Sequence, residues 1–157
     1  MKNHNVVDKS EKLFIIISIL GLFPFVIGLL DLLINKNNLF LLVNLPKYYG
    51  SIIFTFLGAI YWGAMLNLTP KNFIPEKIKL FIIIWSVIPS ILGIIVLSIN
   101  SSYSLLILSM GFFLCQLVDE MSYKYLSFPN WYLPLRRILT LIVVIVLICS
   151  YFIIQTS

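Results

Sequence analysis

The stretch LFIIIWSVIPSILGIIVLSI (80–99) runs for twenty residues without one charged side chain. A helix needs about 20 predominantly apolar residues to cross the hydrocarbon core of a bilayer. Lipid offers no partners to backbone N–H and C=O groups, so a spanning segment is either a helix or a strand of a closed barrel. Barrel strands alternate apolar and polar residues with a period of two. The 80–99 run does not alternate, and it predicts a spanning α-helix. Pro89 lacks a backbone N–H, which predicts a kink inside that helix.

Four further stretches read the same way: 13–34, 49–66, 103–118 and 138–154. The first holds Pro24 and ends near Asp31, and the fourth is short enough to predict extension at one or both ends. The expected architecture is therefore all-α: a single polytopic membrane domain over 1–157 with five transmembrane helices. Composition agrees. Hydrophobic residues make up 61% of the 157-residue chain and charged residues 11%, against roughly 45–50% and about 25% in soluble domains. Mean hydropathy is +1.04. A soluble globule of this size cannot hide that much apolar surface.

The connections add detail. Segment 35–48 carries a small apolar cluster at 39–43, which reads either as an interfacial helix or as an extension of the second span. The 100–104 turn is tight and makes spans three and four an antiparallel hairpin. Segment 119–137, the longest and most aromatic connection, is expected to be an interfacial loop. The polar lead before residue 13 mixes charge signs, and no A-x-A-like site follows the first apolar run, so that run is expected to be a retained span.

Lysine and arginine set the orientation. The N-terminal tail, the second loop and the fourth loop carry nine of them: Lys2, Lys9, Lys12, Lys71, Lys77, Lys79, Lys124, Arg136 and Arg137. The other side carries two, Lys36 and Lys47. This bias places the N-terminus inside. Trp62, Trp85 and Trp131 then fall near the inner interface, and Tyr48, Tyr49, Tyr103 and Tyr151 near the outer one, as amphipathic rings prefer.

Several chemistries find no residues to carry them. His4 is the one histidine and lies in the tail, so no span supplies an imidazole for a haem, a proton relay or a nucleophile. Cys115 and Cys149 sit in apolar runs with no C-x-x-C, which argues against a zinc site or a disulfide framework. No H-E-x-x-H, G-x-S-x-G or P-loop is present. The reading is non-enzymatic, without metal or cofactor, and without nucleic acid as a partner.

Three constellations remain. Ser51, Thr55, Ala59 and Gly63 follow one another at intervals of four, with Gly58 beside them. Small residues let helix backbones approach closely in lipid. This row predicts a packing face, either against another span of the same chain or between copies. Gln116, Asp119 and Glu120 share a face at i, i+3 and i+4, and Arg136 and Arg137 open span five at the same level. They predict an inner-interface clamp, with a coupled protonation or ligand site and plain snorkelling as alternatives. Asp31, near the outer end of span one, is expected to face water beside Lys36; a functional acid is the alternative.

The ordered set GLFPF (21–25), YGSIIFTFLGAIYWG (49–63), SVIPSILG (86–93), GFFLCQLVD (111–119) and WYLPLRRILT (131–140) resembles a family of small membrane proteins. That family includes animal transmembrane protein 69 and many bacterial homologues, and is known as domain of unknown function 3429. The resemblance covers roughly residues 13–150. It implies a helical membrane domain and no particular activity. It also implies signature positions at Tyr49, Gly50, Phe56, Leu57, Gly58, Trp62, Gly63, Pro89, Gln116, Asp119, Trp131, Arg136 and Thr140, with Ala59 where the family pattern has a second glycine.

Taken together, the expectation is an accessory or assembly protein acting through helix packing. Its partners would be the lipid bilayer and either a second copy or another membrane protein. A small-solute or proton transporter, with Asp31 and Asp119 as gates, is the competing expectation. The expected location is a bacterial cytoplasmic membrane, or alternatively a mitochondrial inner membrane.

Overall fold

The computed structural model describes residues 9–34, 44–66 and 74–156. The 39–43 cluster and Lys36 lie outside them. Seven α-helices occupy the described residues, with no strand. They are α1 (Lys9–Leu20), α2 (Phe23–Ile34), α3 (Leu45–Leu66), α4 (Glu76–Trp85), α5 (Ile88–Ser98), α6 (Tyr103–Ser122) and α7 (Tyr132–Thr156). Joined end to end, α1 with α2 and α4 with α5 make two broken helices. With α3, α6 and α7 they form five helical stretches long and apolar enough to cross a membrane.

Both breaks have the same cause. A proline ring clashes with the carbonyl four residues earlier and offers that carbonyl no N–H. Helix α1 ends at Leu20, four before Pro24, and α4 ends at Trp85, four before Pro89. Each gap is bridged by one turn: Leu22 N–H donates to the Ile19 carbonyl at 3.0 Å, and Val87 N–H to the Ile84 carbonyl at 3.2 Å. Pro46 and Pro134 disturb nothing, because they sit in the first turns of α3 and α7, where N–H groups have no intrahelical acceptor.

The helices outrun several expected spans. Helix α6 continues to Ser122 and α7 begins at Tyr132, so the 119–137 loop shrinks to 123–131. Charges inside that segment read as loop. Asp119, Glu120, Arg136 and Arg137 are instead helical residues that pair with each other across the connection, while Lys124 stays in the loop. Helices α3 and α4 also begin earlier than their apolar runs, at Leu45 and Glu76.

Helix α6 is the centre of the bundle. It packs on α7, α3 and α5, and eleven of its twenty residues are buried. Phe25, Phe54, Leu57, Val96, Leu105, Leu108, Phe112, Val143 and Leu147 fill the main core around it. A second, smaller core of Tyr61, Ile82, Val118 and Leu126 closes one end. Helix α1 buries no residue and touches only α7 among its substantial neighbours.

The outside is apolar, with Leu20, Ile52, Phe56, Ile94, Met110 and Ile138 all exposed, while Asp31, Asp119, Arg136 and Thr140 are buried. That distribution is inverted relative to a soluble protein and fits a molecule whose solvent is lipid. The molecule is an integral membrane protein.

Candidate functional site

Helices α3 and α5 make a close contact through small residues. A Cβ at Gly58 would stand 2.6 Å from the Ser86 carbonyl oxygen, and one at Gly93 would stand 2.9 Å from Thr55 Oγ1 and 3.3 Å from the Ser51 carbonyl oxygen. Ser51, Thr55 and Gly58 therefore meet α5. Ala59 and Gly63 do not, and both are exposed. Each step of four residues advances about 40° around a helix, so the row drifts by about 120° between its ends. Gly58, at i+7 from Ser51, stays on the contact; Gly63 leaves it.

The clamp residues come together where α6 ends and α7 begins. Arg136 Nε donates to Asp119 Oδ2 at 2.8 Å, and both side chains are almost wholly buried. Arg136 Nη1 donates to Thr140 Oγ1 at 2.9 Å. The other carboxylate oxygen, Asp119 Oδ1, accepts from the Tyr61 hydroxyl and, at 3.3 Å, from the Tyr132 hydroxyl. Asp119 thus accepts hydrogen bonds from three side chains, of which Tyr61 lies on α3 and Tyr132 and Arg136 on α7. One residue further along each helix lies the second pair. Arg137 donates from Nε and Nη2 to the two oxygens of Glu120, at 2.5 and 2.7 Å, in a bidentate and more exposed bridge. Gln116 Nε2 donates to Glu120 Oε1 at 3.0 Å.

Burying one carboxylate and one guanidinium is expensive unless each remaining polar atom is matched. Asp119 is fully matched. Arg136 Nη2 and Gln116 Oε1 are buried with no hydrogen-bond partner among the described residues.

Tyr61, Tyr132 and the role of Thr140 were not read from the sequence. Tyr132, Arg136 and Thr140 stand at intervals of four on α7, a pattern available once the helix is known to start at Tyr132 rather than at 138. Tyr61 comes from α3, 58 residues from Asp119, and no local pattern marks it.

The remaining candidates are dispersed. Asp31 is buried, at 7% exposure, on α2 rather than turned to water. Trp62 is exposed at the end of α3. Trp131 stacks on Phe14 at 6.3 Å, tying α1 to the 123–131 loop. Trp85, the last residue of α4, packs against both cores and stacks on Phe81. Tyr49 packs edge-on against Phe25 in the main core. Among the described residues, no three His, Cys, Asp or Glu side chains gather into a metal-binding group.

The contacts also sort the two ends of the bundle. Phe14, Tyr61, Ile82, Asp119, Leu126 and Arg136 meet at one end. Lys47 with Ile99, Ser102 with Gln155, and Tyr103 with Tyr151 meet at the other.

A polytopic helical membrane protein, with its central helix tied to one neighbour by a buried ion pair and to another by a tyrosine hydrogen bond, is the class that this fold and site define. Within that class the chain belongs to the family described as "Protein of unknown function (DUF3429)", whose profile matches residues 10–152. Searches of curated proteins and of solved structures gave no match.

Proposed function

We propose that this protein is a non-enzymatic accessory or assembly protein that acts by packing against another membrane protein. The closed state of the polar cluster carries the reading. Asp119 is neutralised by Arg136 and accepts from Tyr61 and Tyr132, so its charge is spent inside the fold. Intramembrane acids often mark proton or ion pathways, but this one would have to break its bonds to an arginine and two hydroxyls to take up a cation or proton. Here the group holds α3, α6 and α7 in register and leaves a rigid bundle with an apolar exterior. On α3, exposed Ala59 lies beside exposed Phe56 and Trp62, a small residue among large ones that suits a partner helix.

The resemblance to transmembrane protein 69 supports this reading, since it implies a domain shared without a recognisable catalytic motif. A bacterial cytoplasmic membrane is the proposed location, on the lysine-rich composition. A mitochondrial inner membrane is the alternative.

The test is native mass spectrometry of the protein released in mild detergent at its natural expression level. A stoichiometric membrane-protein partner, lost in Ala59→Leu, is the expected result. Recovery of a lone chain alongside solute flux in reconstituted vesicles would overturn it. The transport reading has one observation in its favour, the buried Asp31 in a span broken at Pro24, because broken helices line many transport sites. Under that reading, Asp31→Asn abolishes flux while leaving the fold intact.

A further inference from the structure

The end of the bundle opposite the clamp holds a cavity of about 430 Å³, lined among others by Asn44, Lys47, Asn100, Ser101, Ser102 and Ser104. We infer that this cavity binds a phosphate-bearing anion through Lys47. The inference goes beyond the packing role and does not depend on it.

Lys47 carries the argument. It is 7% exposed, and its Nζ donates to the Ile99 carbonyl oxygen at 2.6 Å. An ammonium has three N–H donors, and a carbonyl takes one of them. No carboxylate among the described residues pairs with Lys47; the two ion pairs they form are both at the clamp end. The neighbouring segment 35–43, NKNNLFLLV, contains no Asp or Glu. A buried ammonium is costly without a counter-ion; the described residues supply none to Lys47, and an anion entering the cavity would.

The rest of the lining suits an anion too. It contains no acid and offers amide and hydroxyl donors. The Ser102 hydroxyl oxygen accepts from Gln155 Nε2 at 2.9 Å, which leaves its own proton to donate. The first turns of α3 and α6 both contribute lining residues, and the partial positive charge of a helix N-terminus adds to that of the lysine. Donors converging from several directions around a point charge match a tetrahedral phosphate better than a planar carboxylate, which prefers the flat fork of arginine. A lipid headgroup and a free phosphate share this chemistry, and the cavity lies at the membrane-boundary end of the spans, where both are present.

Thermal melting of the full chain in neutral detergent separates the sources. Phosphatidylglycerol, phosphatidylcholine, inorganic phosphate and chloride are titrated at matched ionic strength. Saturable stabilisation above the chloride control, by phosphatidylglycerol or by inorganic phosphate, is expected. Apparent affinity should fall by about tenfold or more in Lys47→Gln, as loss of a charge-assisted hydrogen bond implies, and be largely retained in Lys47→Arg. A response to phosphatidylglycerol alone identifies a headgroup site; an equal response to inorganic phosphate identifies a free-anion site. Because Lys47 also holds the Ile99 carbonyl, an Asn100→Ala/Ser102→Ala variant at the cavity provides a readout that does not depend on that bond. No stabilisation above chloride in the wild type overturns the inference. So does a response unchanged in both the Lys47→Gln and the Asn100→Ala/Ser102→Ala proteins.

Discussion

Asp119 and Arg136 stand 17 residues apart, on either side of a connection, and meet at 2.8 Å with both side chains buried. The pair joins the last turn of α6 to the first turn of α7, and its tyrosine partners extend the link to α3. Removing one member leaves the other as an uncompensated buried charge, which costs about 3–5 kcal/mol. Arg136→Met and Asp119→Asn should therefore each lower the melting temperature in detergent sharply. An Asp119→Asn/Arg136→Met double variant should be less destabilised than the sum of the single changes, because it leaves no charge behind. Additive losses in a double-mutant cycle would show that the pair is not coupled.

Glu120 and Arg137 form the better-shaped bridge, yet they should matter less. Their bidentate contact is exposed to solvent and headgroups, where screening removes most of an ion pair's value. Arg137→Ala is expected to melt with the wild type, in contrast to Arg136→Met. Equal losses at the two arginines would mean that burial does not set their ranking.

Tyr61 and Tyr132 both donate to Asp119 Oδ1, but the Tyr132 contact is long at 3.3 Å. Hydrogen bonds to charged groups contribute about 1.5–3 kcal/mol. Tyr61→Phe should cost an amount in that range and Tyr132→Phe clearly less, as read by detergent melting of the two proteins side by side. The reverse order would place the shorter bond on Tyr132.

Two glycines on α3 should answer oppositely to the same substitution. At Gly58 a methyl group would meet the Ser86 backbone oxygen at 2.6 Å and Pro89 Cγ at 3.1 Å. Backbone cannot move aside, and overpacking of this kind costs about 1–3 kcal/mol. At Gly63 a Cβ meets nothing within 4 Å among the described residues. Gly58→Ala should melt earlier than wild type, while Gly63→Ala should be unchanged or slightly stabilised by higher helix propensity.

Nine basic residues against two predict a cytoplasmic N-terminus and a C-terminus on the far side. A C-terminal phosphatase fusion is expected to be active and a C-terminal fluorescent-protein fusion dark. The opposite pattern would invert the topology and move the Lys47 cavity to the inner face.

The two acids of the clamp and its two arginines were legible in the sequence because opposite charges stand near the facing ends of two successive apolar runs. The extent of the helices around them was not, since charged residues read as loop until their partners are known. The most central helix was legible only in hindsight. Spans α3 and α6 are the least apolar of the five and also the most buried, because their serines, glycines and polar side chains face protein while isoleucine and leucine face lipid. The four-residue row from Ser51 to Gly63 divides between the α5 contact and the exterior for a geometric reason: the α-helix turns past a four-residue repeat, so a straight row on paper becomes a spiral on the cylinder.

By itself the sequence determined that the chain lies in a membrane, that its apolar runs are helices, which five stretches are long and apolar enough to cross, and that Pro24 and Pro89 lie inside two of them. These follow from hydropathy and from the missing proline N–H, and both act over a few neighbouring residues. Only the tertiary structure decided that Tyr61 meets Asp119, that Lys47 reaches the Ile99 carbonyl, and that Ala59 faces outward. In lipid the inward and outward faces of a helix are both apolar, so hydrophobic patterning does not fix the rotation of one span against another. That rotation is settled by close contacts such as Gly58 with Ser86 and by buried polar pairs, whose members stand far apart in the chain.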